Sequence, residues 1–187
     1  MSGARIDGRT ADALILRIAD GDMAALESLY NAMYGEIFAY LRSMLGGDRQ
    51  SAENLAQDTF IRVYRYAPKF AAMGQGRAWV YRIAGRLAFT HLSKLPPVVG
   101  EPDPAIPSGA DVEESALASR AIQEAMAAIS PEERQVVSLH AVSGLTLREI
   151  ADMLGQPLGT VKWRHAEAVR KLRRLLNDNQ GRETADQ

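Results

Sequence analysis

Side chains able to bind a polynucleotide are concentrated in two stretches of this 187-residue chain. Within Leu158–Leu176, Lys162, Arg164, Arg170, Lys171, Arg173 and Arg174 stand against one acid, Glu167. A helix with that balance suits phosphate contacts. Phe60–Lys94 carries seven Lys/Arg, no acid, and seven of the chain's twelve aromatics. Basic groups interleaved with aromatics suit a surface that holds backbone phosphates and stacks unpaired bases. Aromatics at helical spacing also build cores. Phe60, Tyr64, Tyr81 and Phe89 are therefore expected mainly inside, with Tyr66, Phe70 and Trp79 open between the two roles. Chemistry of other kinds is not suggested. The chain has no Gly-rich phosphate loop or nucleophile motif. His91, His140 and His165 lack metal-binding spacing, and the absence of cysteine excludes disulfides and thiolate sites. No catalytic residue, metal or cofactor is expected.

The elements that must position these groups are helices. Strand signals are almost absent, and Ala, Leu, Arg and Met are abundant. Around the basic stretch Leu158–Leu176, Ser130-Pro131-Glu132-Glu133 and Thr146-Leu147-Arg148-Glu149 have capping-box form, a hydroxyl cap with a carboxylate three residues on. Leu154-Gly155-Gln156-Pro157 can end one helix and begin the next. Ile150, Ala151 and Leu154 give the middle helix an apolar stripe, as Val161, Ala168, Leu172 and Leu175 do the last. Short helix, glycine turn and basic helix together predict a DNA-binding helix-turn-helix. Upstream, the spacing predicts helices over Thr10–Ala19, Met23–Leu45, a segment capped by Ser51 and running towards Pro68, and Arg77–Lys94.

Between the two halves, Leu95–Ser115 holds five of eight prolines, five acids and no Lys/Arg. That composition predicts an extended linker that proteases cut first. The expected fold is all-α: two small helical domains, 1–94 and 114–187, joined by a Pro-rich acidic linker over 95–113. A helix over Glu114–Ile129, with Leu117, Ile122 and Met126 on one face, opens the second domain. Net charge is only −1, so attraction to nucleic acid must come from local segregation. Asp7–Asp58 holds nine acids and four Lys/Arg, the opposite balance to Phe60–Lys94. No stretch approaches a membrane span, so membrane insertion is not expected and a cytoplasmic location is.

Four motifs, in order, resemble the bacterial extracytoplasmic-function sigma factors, small specificity subunits of RNA polymerase. Gly21–Tyr30 resembles that family's opening helix, and Ala52–Phe60 (AENLAQDTF) its polymerase-docking signature. Trp79–Ala84 (WVYRIA) is similar to the start of the helix facing the melted −10 promoter element. Leu158–Lys162 (LGTVK) is similar to the start of the helix that reads the −35 element. The resemblance spans about Gly21 to Leu176. It implies a region 2-like domain followed by a region 4-like helix-turn-helix domain.

The resemblance also implies core RNA polymerase, promoter DNA and an anti-sigma factor as partners. It places polymerase binding at Glu53, Asn54, Leu55, Gln57, Asp58 and Phe60. The −10 contacts fall to Phe70, Arg77, Trp79, Arg82 and Arg86, and the −35 contacts to Thr160, Lys162, Trp163, Arg164, Glu167, Arg170 and Lys171. The chain departs from the family pattern at Asn54, Gly85, Arg86, Thr90 and the stretch Trp163–Val169. Glycine at 85 costs a helix about 1 kcal/mol relative to alanine. Glu167 has two readings: a base contact, or an intrahelical pair with Arg170 or Lys171. His165 is expected to pack inward and Trp163 to be exposed. Competing readings are a sigma-like decoy that binds an anti-sigma factor, and a simple helix-turn-helix regulator.

Overall fold

Aspartates placed just before apolar runs start the first three helices of the computed structural model, which describes residues 5–94 and 120–183, the side chains of 178–183 excepted. Asp7 accepts a hydrogen bond from the Thr10 backbone N–H and opens α1, Gly8–Ala19. Asp22 does the same through Ala25 for α2, Met23–Met44. Asp48 caps α3, Arg49–Tyr66, by accepting from the Ser51 N–H. The cap therefore falls three residues before Ser51, because the Gly46–Gly47 turn reverses the chain early enough for Asp48 to reach the first free N–H groups. A single 3₁₀ turn, Ala67–Lys69, follows α3.

Helix α4, Gly76–Leu92, has no side-chain cap. Its start is fixed from outside: buried Asp12 accepts from the Gly74 N–H at 2.6 Å. At Gly76 a Cβ would lie 2.6 Å from the Asp12 nitrogen, so α1 and α4 meet where only glycine fits. Ile15, Leu29, Met33, Ile37, Tyr40, Leu41, Met44, Val63, Val80 and Tyr81 fill the space between these four helices. The Tyr40 and Tyr81 rings meet edge to face with centroids 5.5 Å apart.

The second helical cluster begins with α5, described over 120–127. The earlier part of the expected Glu114–Ile129 helix, with Leu117, lies outside the described residues, as does the linker. Ile122 is more than half exposed, whereas Met126 and Ile129 are buried with Ala168. Both expected capping boxes form. Ser130 and Glu133 open α6, Pro131–Ser138, and Thr146 and Glu149 open α7, Leu147–Leu154. A π-helical turn, Leu139–Ser143, prolongs α6 and ends at Gly144. Gly155 closes α7 at φ +64°, the left-handed conformation glycine adopts without a Cβ penalty, and α8 runs Leu158–Glu183.

Among the described residues the fold is all-α, in two clusters that also touch each other. Val136, Leu139, Leu145, Ile150, Ala151 and Met153 join the apolar core of α1–α4. Helix α6 and the π turn lie against α2, and α7 lies against α4.

Candidate nucleic-acid interface

Fully buried Val161 and Ala168 fix the roll of α8. The roll leaves Lys162 and Trp163 outward at the start of the helix, with Trp163 63% exposed as expected. Half-buried Thr160 and Arg164 flank them. Arg164 donates to the Gln156 side-chain oxygen at 2.6 Å, so a residue of the interhelical turn orients the guanidinium. Sequence patterning did not single out Gln156, because the contact spans a turn rather than one helix face.

Further along α8 the charges are committed to each other. Arg170 reaches Glu167 through two N–H donors, at 3.0 and 2.5 Å, and these bonds hold the half-buried Glu167 carboxyl below its usual range. The intrahelical reading of Glu167 is the one seen. Lys171, expected among the −35 contacts, pairs its ammonium in this conformation with buried Glu133, 2.8 Å away on α6. Burial pushes the Glu133 carboxyl up, but Lys171 and the Ser130 N–H outweigh burial and leave it below the usual value. Half-buried His165 packs edge to face on His140, and burial lowers its pKa.

On α4, Arg86 is exposed. Half-buried Phe70 and Trp79 pack ring to ring with centroids 4.9 Å apart. Arg77 and Arg82 are not free in this conformation. Arg77 donates to Glu36 at 2.6 Å and to the Ser143 carbonyl at 3.1 Å, and Arg82 donates to the Met153 carbonyl at 2.8 Å. Glu36 also accepts from Arg5 and the Tyr81 hydroxyl. Burial would raise its carboxyl, but these donors outweigh burial and lower it.

Along α3, Asn54 and Gln57 are exposed and Leu55 is half-buried. Glu53 pairs with Arg49 at 2.8 Å and Asp58 with Arg62 at 3.2 Å, each one helical turn away. Phe60 is a correction to the docking set: at 5% exposure it packs beside Tyr30 and Tyr34 and can only support that face from beneath. Tyr64 corrects the core expectation, whereas Phe89 packs against the core at its edge. Tyr64 is 48% exposed, and with Met23, Leu26, Tyr30 and Ile61 it lines an apolar groove between α2 and α3; Phe89 is only half-buried. The buried stripe of α3 runs Ala52, Ala56, Thr59, Phe60, Val63, and Tyr64 sits at its rim.

Comparison with known proteins matches both clusters. Residues 29–95 fit the family model described as Sigma-70 region 2, and residues 125–174 that described as Sigma-70, region 4. The chain is 30% identical over 174 residues to the ECF RNA polymerase sigma factor BldN of Streptomyces coelicolor, a match covering 89% of this chain and 66% of BldN. It is 28% identical over 175 residues to the ECF RNA polymerase sigma factor SigK of Mycobacterium tuberculosis, covering 89% of this chain and 93% of SigK. In fold it resembles CnrH, solved in complex with the cytosolic domain of CnrY, with a TM-score of 0.73 at 21% identity over 90% of this chain and 98% of CnrH. It also resembles RpoE, solved with the anti-sigma factor NepR from Bartonella quintana, with a TM-score of 0.65 at 20% identity over 81% of this chain and 96% of that one.

Proposed function

This chain belongs to the extracytoplasmic-function RNA polymerase sigma factors of the sigma-70 superfamily, and from that premise we propose how its surfaces divide the work. A sigma factor binds the polymerase core and directs transcription initiation without catalysis of its own. Here the exposed face of α3 docks on the polymerase through Glu53, Asn54, Leu55, Gln57 and Asp58. Arg77, Trp79, Arg82 and Arg86 of α4, with Phe70 from the segment before it, receive the melted −10 strand, where aromatic rings and guanidiniums can stack and pair with an unpaired backbone. The N-terminal end of α8 enters the major groove at the −35 element. Thr160, Lys162, Trp163 and Arg164 lead there, and Arg170 stands one to two turns behind, paired with Glu167.

The observation that carries this reading is the order of the two matched regions, with an outward Lys162-Trp163 pair on the helix-turn-helix of the second. An anti-sigma factor is the proposed regulatory partner, since the structurally similar RpoE was solved bound to one. Among the described residues no helix is long and apolar enough to cross a membrane. The proposed place of work is the cytoplasm, where polymerase and promoter are. The test of docking is charge reversal at Asp58. Asp58→Lys is expected to weaken core binding while leaving binding of the full chain to −35 duplex unchanged. Unchanged core binding would overturn the assignment.

A further inference from the structure

The segment Phe70–Gln75 leads from the 3₁₀ turn into α4 and carries Phe70, whose ring packs on Trp79 of that helix. It has no core anchor of its own between those rings: Ala71–Gln75 are all exposed, Met73 to 75%. What places it is α1. Among the described residues one side chain hydrogen-bonds to this segment, Asp12, whose Oδ2 accepts from the Gly74 N–H at 2.6 Å. The Gly74 carbonyl lies so close to Gly8 that a Cβ there would collide with it, and Gly74 itself turns at φ +73°. Both polar groups of one loop residue are thus fixed against α1.

Packing alone does not account for Asp12. It is 6% exposed, and its Oδ1 is buried without a hydrogen-bond partner among the described residues. A buried carboxylate with one oxygen unpaired costs stability relative to an apolar side chain. The charge does sit where α4 lacks a cap. Oδ1 is 2.8 Å from the position of a Gly76 Cβ, at the first residue of a helix whose N-cap, Gln75, supplies no side-chain bond. Negative charge is favoured at a helix N-terminus. One carboxylate of α1 therefore holds the loop and the start of α4 together.

We propose that Asp12 is a positioning residue for −10 recognition: by holding Gly74 and the start of α4, it fixes the Phe70–Gln75 segment in the place from which the melted strand is read. The proposal rests on the promoter-binding reading. Asp12 itself touches no DNA, being buried beneath the segment it holds. A reading group fixed within about 0.5 Å of its working geometry tells bases apart, whereas a loop free to shift accommodates several.

The test uses the full chain with core polymerase in run-off transcription, on a promoter selected by the parent and on single-base variants of its −10 element. Asp12→Ala is expected to narrow the preference at one or two −10 positions by about tenfold, the scale of one lost base contact. Preference at the −35 element and binding to core should not change. Asp12→Asn, whose amide oxygen can still accept from the Gly74 N–H, should restore most of the preference. Gly74→Ala strains the same point at φ +73° without touching Asp12, and should relax the same positions; it keeps the test open where Asp12→Ala does not fold. A merely structural role would lower product from all templates in proportion and leave the −10 preference intact, and that result would overturn the proposal. So would Asp12→Asn relaxing the preference as fully as Asp12→Ala. A parent chain with no −10 preference would instead bring down the promoter reading itself.

Discussion

Neighbouring residues at the start of α8 differ in what holds them, and that sets what each substitution does. Trp163 touches little and is 63% exposed. Trp163→Ala is expected to change thermal stability by less than about 0.5 kcal/mol while lowering affinity for a −35 duplex. Arg164 is held by Gln156. If it reads a base edge, Arg164→Ala costs about 1–3 kcal/mol of discrimination at one position, and Gln156→Ala costs part of that at the same position. A uniform loss across sequences, with a shallower salt dependence, would assign Arg164 to phosphate instead. Lys171 differs again, because its partner Glu133 is buried. Lys171→Ala is expected to destabilise the fold by about 1–3 kcal/mol near neutral pH. The sign of its pH effect follows from the depressed Glu133 carboxyl. That contribution is present above the ordinary value of 4.5 and is lost as pH falls through the lower folded value. Without Lys171 burial dominates, so acid unfolding should begin at higher pH, as a pH titration of circular dichroism would read. The outward Trp163 and inward His165 were legible from helical phase alone. The inward turn of Lys171 was not, since it depends on an acid 38 residues away.

At the level of elements, local chemistry wrote most of the helix starts. Both capping boxes stand where Ser130 and Thr146 put them. Thr146→Ala removes the hydroxyl that bonds the Glu149 N–H, and should cost about 1 kcal/mol of thermal stability. Asp48 displaced Ser51 as a cap because the glycine turn before it sets where the chain comes round, which propensity does not encode. The π turn after α6 was invisible for a related reason. It is held by buried Ser143, whose hydroxyl bonds the Leu139 carbonyl and accepts from the Leu145 N–H, and by contact with α2. The amphipathic phase of α3 marked its core stripe, but Tyr64 lies one residue beyond Val63. Whether a rim residue is covered depends on how close the neighbouring helix comes.

For the whole molecule, the two-cluster all-α plan and its sigma-factor character could be read from motif order and charge segregation. The seam between clusters could not, because its bonds join residues far apart in sequence, Arg77 with Ser143 and Arg82 with Met153. The same arginines are the proposed −10 contacts, and their charge suits a carbonyl or a phosphate oxygen alike. The central claim is that this chain gives the polymerase two-element promoter selectivity. Its most direct test is run-off transcription with purified core polymerase on a selected promoter and on versions with either the −10 or the −35 element scrambled. The expected result is product that requires the chain and is lost when either element is scrambled. Equal product from all three templates, or product unchanged when the chain is left out, would contradict the claim.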